Sequence, residues 1–224
     1  VGPLMCRILE KIVRCVFVCA SILGLGFVSQ VQAQTSPAIT NGVQWLAAQV
    51  LPDGSLATEA TSVATVLQSR SETAFTLKAL STVPGNLVTA IASETDDNTE
   101  YLARQAIAML AAGQDASVQI KTLLQRQNDD GGFGGAPMYA SNPLDTAWAL
   151  IALNASGQTT TVPGALGYLQ AVQQPDGSFG LDGHADIYTS AYVLSALHLY
   201  ASVFPMSTVI QSTTNYLMVA QSVS

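Results

Sequence analysis

One pattern recurs three times along this chain and limits what it can fold into. A helix-like segment ends in glutamine, an Asp-Gly pair follows, and then come a small residue and an apolar one. It reads Trp45-Leu46-Ala47-Ala48-Gln49 with Asp53-Gly54-Ser55-Leu56, and Leu124-Gln125-Arg126-Gln127 with Asp130-Gly131-Gly132-Phe133-Gly134. The third copy is Tyr168-Leu169-Gln170-Ala171-Val172-Gln173 with Asp176-Gly177-Ser178-Phe179-Gly180. A second unit follows each turn: Thr73-Ala74-Phe75-Thr76-Leu77-Lys78-Ala79-Leu80, Thr146-Ala147-Trp148-Ala149-Leu150-Ile151-Ala152-Leu153, and Ser190-Ala191-Tyr192-Val193-Leu194-Ser195-Ala196-Leu197. Gln105-Ala106-Ile107-Ala108-Met109-Leu110-Ala111-Ala112 is a degenerate fourth copy, preceded by Thr95-Asp96-Asp97-Asn98 in place of the Asp-Gly turn. Ala74, Ala106, Ala147 and Ala191 are spaced 32, 41 and 44 residues apart, near the period of stacked helical hairpins.

The second unit places apolar residues at i, i+3 and i+6 with small ones between, a helical period and not a β alternation. Alanine lets helices approach closely, and Thr, Ser or Asp upstream supply caps. Gly113 and Gly157 stand where helix C-termini are expected, and Pro84, Pro143 and Pro163 mark helix starts. Asp-Gly after a helix forms a turn, the carboxylate accepting from local N–H groups and glycine taking positive φ. The reading is all-α: nine helices, arranged as four hairpins and a final half-hairpin.

Gln-x-x-Asp-Gly-Ser-Phe-Gly followed by a Thr-Ala-x-x-Leu-x-Ala-Leu helix resembles the repeat of the terpenoid cyclase and protein prenyltransferase superfamily, and the turn is similar to the QW motif of squalene–hopene cyclases. The resemblance covers residues 38–221 and is best at 124–153 and 168–197. It implies an α/α toroid, with outer helices and then inner helices whose N-terminal ends ring a cavity. A closed ring in that family usually has six hairpins. Residues 34–224, at about 40 residues per hairpin, give four to five, hence a partial toroid. Tyr216-Leu217-Met218-Val219-Ala220-Gln221 parallels Tyr168 to Gln173 as another outer helix, so further repeats or a partner chain completing the toroid are expected partners.

Fold does not fix chemistry, and each chemistry the resemblance implies can be checked against residues. Class II cyclisation requires an Asp-x-Asp-Asp acid and a lumen rich in aromatics. The nearest stretch is Gln127-Asn128-Asp129-Asp130, and aromatics make up 7% of the chain. Prenyltransferases hold zinc through Asp, Cys and His, and thioester domains on this fold use Cys-Gly-Glu-Gln. Cys6, Cys15 and Cys19 are the three cysteines, and all precede residue 34, so neither chemistry is expected. No cofactor or metal is assigned.

Residues 1–33 have the layout of an export signal: Arg7, Lys11 and Arg14, then an apolar run from Cys15 to Val28, then Val31-Gln32-Ala33 before Gln34. The apolar run, 14 residues, is shorter than the roughly 20 a bilayer-spanning helix needs, so cleavage is expected, with the repeat domain at 34–224, a secreted or periplasmic address and no membrane attachment afterwards. The chain opens on Val1 with Met at position 5, so either translation starts at Met5 or the sequence is a fragment; truncation of a longer protein is one expectation carried forward. Cleavage leaves five basic and 14 acidic residues, a formal charge of −9. No basic stripe remains to neutralise phosphates, which excludes nucleic acid. A cysteine-free exported domain rests on its core alone.

Two features are candidates for function. The aligned column Phe75, Ile107, Trp148 and Tyr192 either fills the layer between inner and outer helices or lines the cavity and stacks on a ligand. Acidic groups gather after the turns, as Asp129, Asp130 and Asp145, and as Asp176, Asp182 and Asp186 beside His184. They read either as turn and cap chemistry or as a cation or acid–base site. Asp145, Trp148, Asp186, Tyr188 and Tyr192 are therefore the cavity-lining candidates, while Asp53, Gly54, Asp130, Gly131, Asp176 and Gly177 are structural turn residues. His198, between Leu197 and Leu199, reads as a packed or surface residue. Gly131 to Gly135 lacks the Lys of a phosphate loop, and Asn154-Ala155-Ser156 is a glycosylation sequon. The expected role is a binding or interaction module for an apolar, carbohydrate or protein ligand. The alternative is a divergent extracytoplasmic enzyme, either cyclase-like or a polysaccharide lyase or hydrolase, although only five basic residues remain to neutralise uronates.

Overall fold

The computed structural model describes residues 36–59, 65–80, 82–95 and 98–222. The expected export signal at 1–33 and the Asp96-Asp97 pair lie outside these. Among the described residues there are nine helices: α1 Pro37–Ala48, α2 Val66–Leu80, α3 Gly85–Ala92, α4 Thr99–Ala111, α5 Ser117–Leu124, α6 Pro143–Ala155, α7 Val162–Val172, α8 Ile187–Tyr200 and α9 Ser207–Ser222. The all-α hairpin repeat is therefore what the chain forms, with one addition. Strands β1 (Gly180–Leu181) and β2 (His184–Ala185) pair antiparallel, Gly180 opposite Ala185 and Leu181 opposite His184. Asp182 and Gly183 turn that hairpin with φ of 52° and 76°. An Asp-Gly pair favours such a two-residue turn, and here it makes a short hairpin between repeats that the helical pattern does not foretell.

The chain divides into two compact units, Val1–Ala90 and Ile91–Ser224. In the first, α1 packs on α2, and Arg70 forms an ion pair with Glu59 at 2.6 Å. In the second, α4, α6 and α8 lie side by side as an inner layer, with α5 against α4, α7 against α6 and α9 against α8. Ala103, Ala106, Ala147, Ala149, Ala152 and Ala196 are wholly buried, which is how this layer comes so close. Phe133, Leu150, Leu153, Leu169, Phe179 and Leu197 fill the core around them.

The recurrent turn joins one repeat to the next. Asp53, Asp130 and Asp176 each accept the N–H two residues on, at 3.0, 2.9 and 2.9 Å. The following glycines, Gly54, Gly131 and Gly177, have φ of 83°, 85° and 88°. A Cβ on any of the three would strike backbone of the next outer helix, at Asn86, Gly164 or Ser212. Glutamine completes the joint. Gln127 Nε2 donates to Gly131 O and to Thr161 O, both at 2.8 Å. Gln173 Nε2 donates to Gly177 O at 3.3 Å, Val209 O at 3.0 Å and Thr213 Oγ1 at 2.9 Å. The first copy departs from this: Gln49 Nε2 reaches back to Trp45 O at 3.3 Å.

Thr146 and Ser190, which open the second unit, fasten the turn to the inner helix. Their hydroxyls accept from Phe133 N and Phe179 N at 2.9 Å each and donate to the carbonyls of Asn142 and Asp186 at 2.7 and 2.8 Å. Gly113 and Gly157 close α4 and α6 with φ of 73° and 70°. In both, the next residue's N–H returns to the carbonyl five positions back, Gln114 to Met109 at 2.8 Å and Gln158 to Leu153 at 2.9 Å.

Candidate functional site

The N-terminal ends of α4, α6 and α8 carry the polar and aromatic side chains that gather in the second unit. Asn98, Asn142 and Asp186 cap these helices, accepting from Glu100 N at 2.9 Å, Asp145 N at 2.9 Å and Thr189 N at 2.7 Å. Such caps satisfy N–H groups that a first helical turn leaves open. The loop before α6 is tied to α4: Thr99 N donates to Gly135 O at 2.9 Å, and Thr99 Oγ1 to Gly134 O at 2.6 Å.

One turn further in, four side chains from three helices close into a ring. The Arg104 guanidinium lies 4.0 Å from the centre of the Trp148 indole. Trp148 stacks obliquely on Tyr192 with centroids 4.6 Å apart, and Tyr192 meets Tyr188 at 4.7 Å. The ring closes where Arg104 Nη2 donates to Tyr188 Oη at 3.3 Å. Glu100, one helical turn before Arg104, balances the cation at 2.7 Å. Trp148 and Arg104 are each 1% exposed, whereas Tyr188 and Tyr192 are half-buried. A desolvated cation over indole is worth about 2 kcal/mol, and the charge has a partner, as a buried charge requires.

Asp145 occupies the position before Ala147 that Arg104 occupies before Ala106. It is 8% exposed, hydrogen-bonded by the Asn142 amide, and in contact range of a Cβ built on Gly135. Burial raises its carboxyl above the ordinary 3.8. The Asn142 amide pulls it down, the Glu100 charge pushes it up, and Arg126 pulls it down again. Arg126 Nη1 also reaches Thr99 Oγ1 at 3.4 Å. The arrangement can hold a carboxylic acid in a largely water-free setting, next to a compensated cation and an aromatic pair.

The sequence candidates are thus divided. Trp148, Tyr188 and Tyr192 come together, with Trp148 as the covered base and the tyrosines as the accessible part. Asp145 lies on the polar side of the same helix ends. Asp186 stands apart as the α8 cap and is exposed; with Leu181, Asp182, His184, Ala185 and Thr189 it lines a shallow, open depression of about 320 Å³. Asp130 and Asp176 serve the turns, and Asp130 also accepts from Ser141 Oγ at 2.7 Å. Phe75 is buried in the first unit. Glu100 and Arg104 were missed by sequence reasoning. Their signal is a pair of opposite charges at i and i+4 just before the aligned stretch 105–112 of the most degenerate repeat. Among the described residues, no group of three or more His, Cys, Asp and Glu side chains converges, and no helix is long and apolar enough to cross a membrane.

Comparison with known proteins agrees with this architecture. A drimenyl diphosphate synthase of Streptantibioticus cattleyicolor is 41% identical over 70 residues, which is 31% of this chain and 13% of the synthase. The match therefore spans a small part of that relative's length. The family model for the prenyltransferase alpha-alpha toroid domain matches residues 67–224, the stretch holding α4 to α9 and the inner-helix cluster. This chain belongs to the prenyltransferase α/α-toroid domain family.

Proposed function

We propose that the chain is an exported binding module whose ligand is an apolar, isoprenoid-like molecule held at the N-terminal ends of α4, α6 and α8. The observation that carries this reading is the Arg104–Trp148–Tyr192–Tyr188 ring. Its lower half is sealed, so Tyr188 and Tyr192 are fixed in place and present ring surface without having to be ordered on binding. Pre-placed aromatic groups with a few polar neighbours are the usual make-up of a small-molecule site. The test is a titration of the purified chain with farnesol, followed by calorimetry. Saturable binding that Tyr192→Ala weakens about tenfold, a loss of about 1.4 kcal/mol, is expected. Unchanged affinity in that variant removes the reading.

Export rests on the three-part layout of residues 1–33, with 34–224 as the working domain. Expression in a host with a general secretory pathway, with N-terminal sequencing of the exported product, should give Gln34 as the first residue. Retention of the chain in the cytoplasm contradicts it.

Catalysis is a second reading, favoured by the buried Asp145, whose carboxyl desolvation pushes above its ordinary value, together with the likeness to a drimenyl diphosphate synthase. A carboxyl raised toward the working pH by burial is better suited to donate a proton than a fully solvated one. Incubation with squalene or farnesyl diphosphate distinguishes the two. A cyclic product lost in Asp145→Asn makes the chain an enzyme, whereas binding without turnover keeps it a module.

A further inference from the structure

We infer that the ligand of the α4–α6–α8 face carries an uncharged head, a hydroxyl or a bare hydrocarbon end, and not a diphosphate. The inference rests on the binding reading above and narrows it.

The charge distribution carries the argument. Residues 127–224, which supply α6 to α9 and the β1–β2 hairpin, contain no lysine or arginine but six aspartates. Three cations remain in the second unit: Arg104, Lys121 and Arg126. Lys121 is exposed in the last turn of α5, a helix outside the inner layer. Arg104 is 1% exposed, with its guanidinium committed to Glu100, the Trp148 face and Tyr188 Oη. Arg126 faces Thr99 and draws down the Asp145 carboxyl. Glu100 and Asp145 stand in the first turns of α4 and α6, and Asp182 and Asp186 line the neighbouring depression.

A diphosphate is recognised by charge-assisted bonds from arginine or lysine, often with a bridging metal ion. Here the two arginines near the helix ends are already engaged, Arg104 with Glu100 and Tyr188 and Arg126 with Thr99, while the aspartates of the neighbouring depression repel an anion. An alcohol or an alkene needs no cation. The tyrosine rings and the Tyr188 hydroxyl are enough for either. The face therefore selects by rejecting anions as well as by holding apolar chain, the two halves of any specificity.

The experiment compares farnesol with farnesyl diphosphate on the purified chain, by calorimetry, with and without magnesium. Farnesol is expected to bind at least about tenfold more tightly, and added salt should narrow the gap by screening repulsion. His184→Lys, a new cation on exposed β2, should raise diphosphate affinity and leave farnesol unchanged. Equal or tighter binding of the diphosphate by the unmodified chain overturns the inference while leaving the binding reading intact. If neither compound binds, the binding reading fails and takes the inference with it.

Discussion

Arg104 is the residue on which most of the inner layer's polar structure depends. Its removal leaves Glu100 buried without its cation and Trp148 without a cover. Breaking a buried pair in this way costs about 3–5 kcal/mol, so Arg104→Ala should lower the denaturant midpoint sharply. Arg70→Ala removes a two-point pair with Glu59 whose side chains are 13% exposed, so it should cost more than the ~1 kcal/mol of a surface pair but less than Arg104→Ala. Asp145 gives a pH signature whose sign follows from its environment. Its folded pKa lies above the ordinary 3.8, so the folded chain binds more protons than the unfolded one between those two values. Stability from this group is then fully present at low pH and declines as pH rises through that window. Asp145→Asn abolishes the decline, and denaturant melts from about pH 3 to 7 should show the variant gaining on the parent as pH rises. Asp53 and Asp176 act in the opposite sense. Hydrogen bonds from Ser55 and Ser178 hold both carboxyls below 3.8, so their contribution is present above 3.8 and is lost as pH falls through the lowered values. That acid-side loss should persist in Asp145→Asn.

At the scale of the element, the Asp-Gly turn explains why one glycine cannot stand for another. Gly131 and Gly177 combine positive φ with close contact to the next outer helix, whereas Gly157 has positive φ and open space around its Cα. Gly157→Ala should therefore cost only the left-handed penalty, about 1–2 kcal/mol. Gly131→Ala and Gly177→Ala must also push a neighbouring helix aside, and chemical denaturation should show losses clearly larger than for Gly157→Ala. The helices and turns were legible in the sequence because each is set by local chemistry: a cap, a glycine, a period of apolar residues. The Arg104–Trp148–Tyr192–Tyr188 ring was only half legible. Trp148 and Tyr192 stood out because they share an aligned column, but Arg104 lies 44 residues before Trp148 in a repeat that had lost its turn motif. Which side chains meet across neighbouring inner helices is decided by helix rotation and register, which no single repeat encodes. The acidic residues were separable in part: Asp130 reads as a turn residue from its Asp-Gly pair and serves that turn, whereas the burial of Asp145 depends on how neighbouring helices pack.

At the scale of the whole molecule, charge and joints matter most. The chain carries a formal −7 and a pI near 4.5, and its solubility should pass through a minimum close to that pH, measurable by light scattering across a titration. The joints have a different consequence. Gln127 and Gln173 each grip the helix that opens the following repeat, so these two boundaries are closed by the same side chain on equivalent backbone. A duplication or loss of one whole period, 44 residues between Ala147 and Ala191, presents each glutamine with a helix of the kind it already holds. Half a period leaves it facing a turn. Such a lineage can change its number of repeats by copying alone, without inventing a new joint, and the size of the surface it offers to ligands is open to change in whole steps.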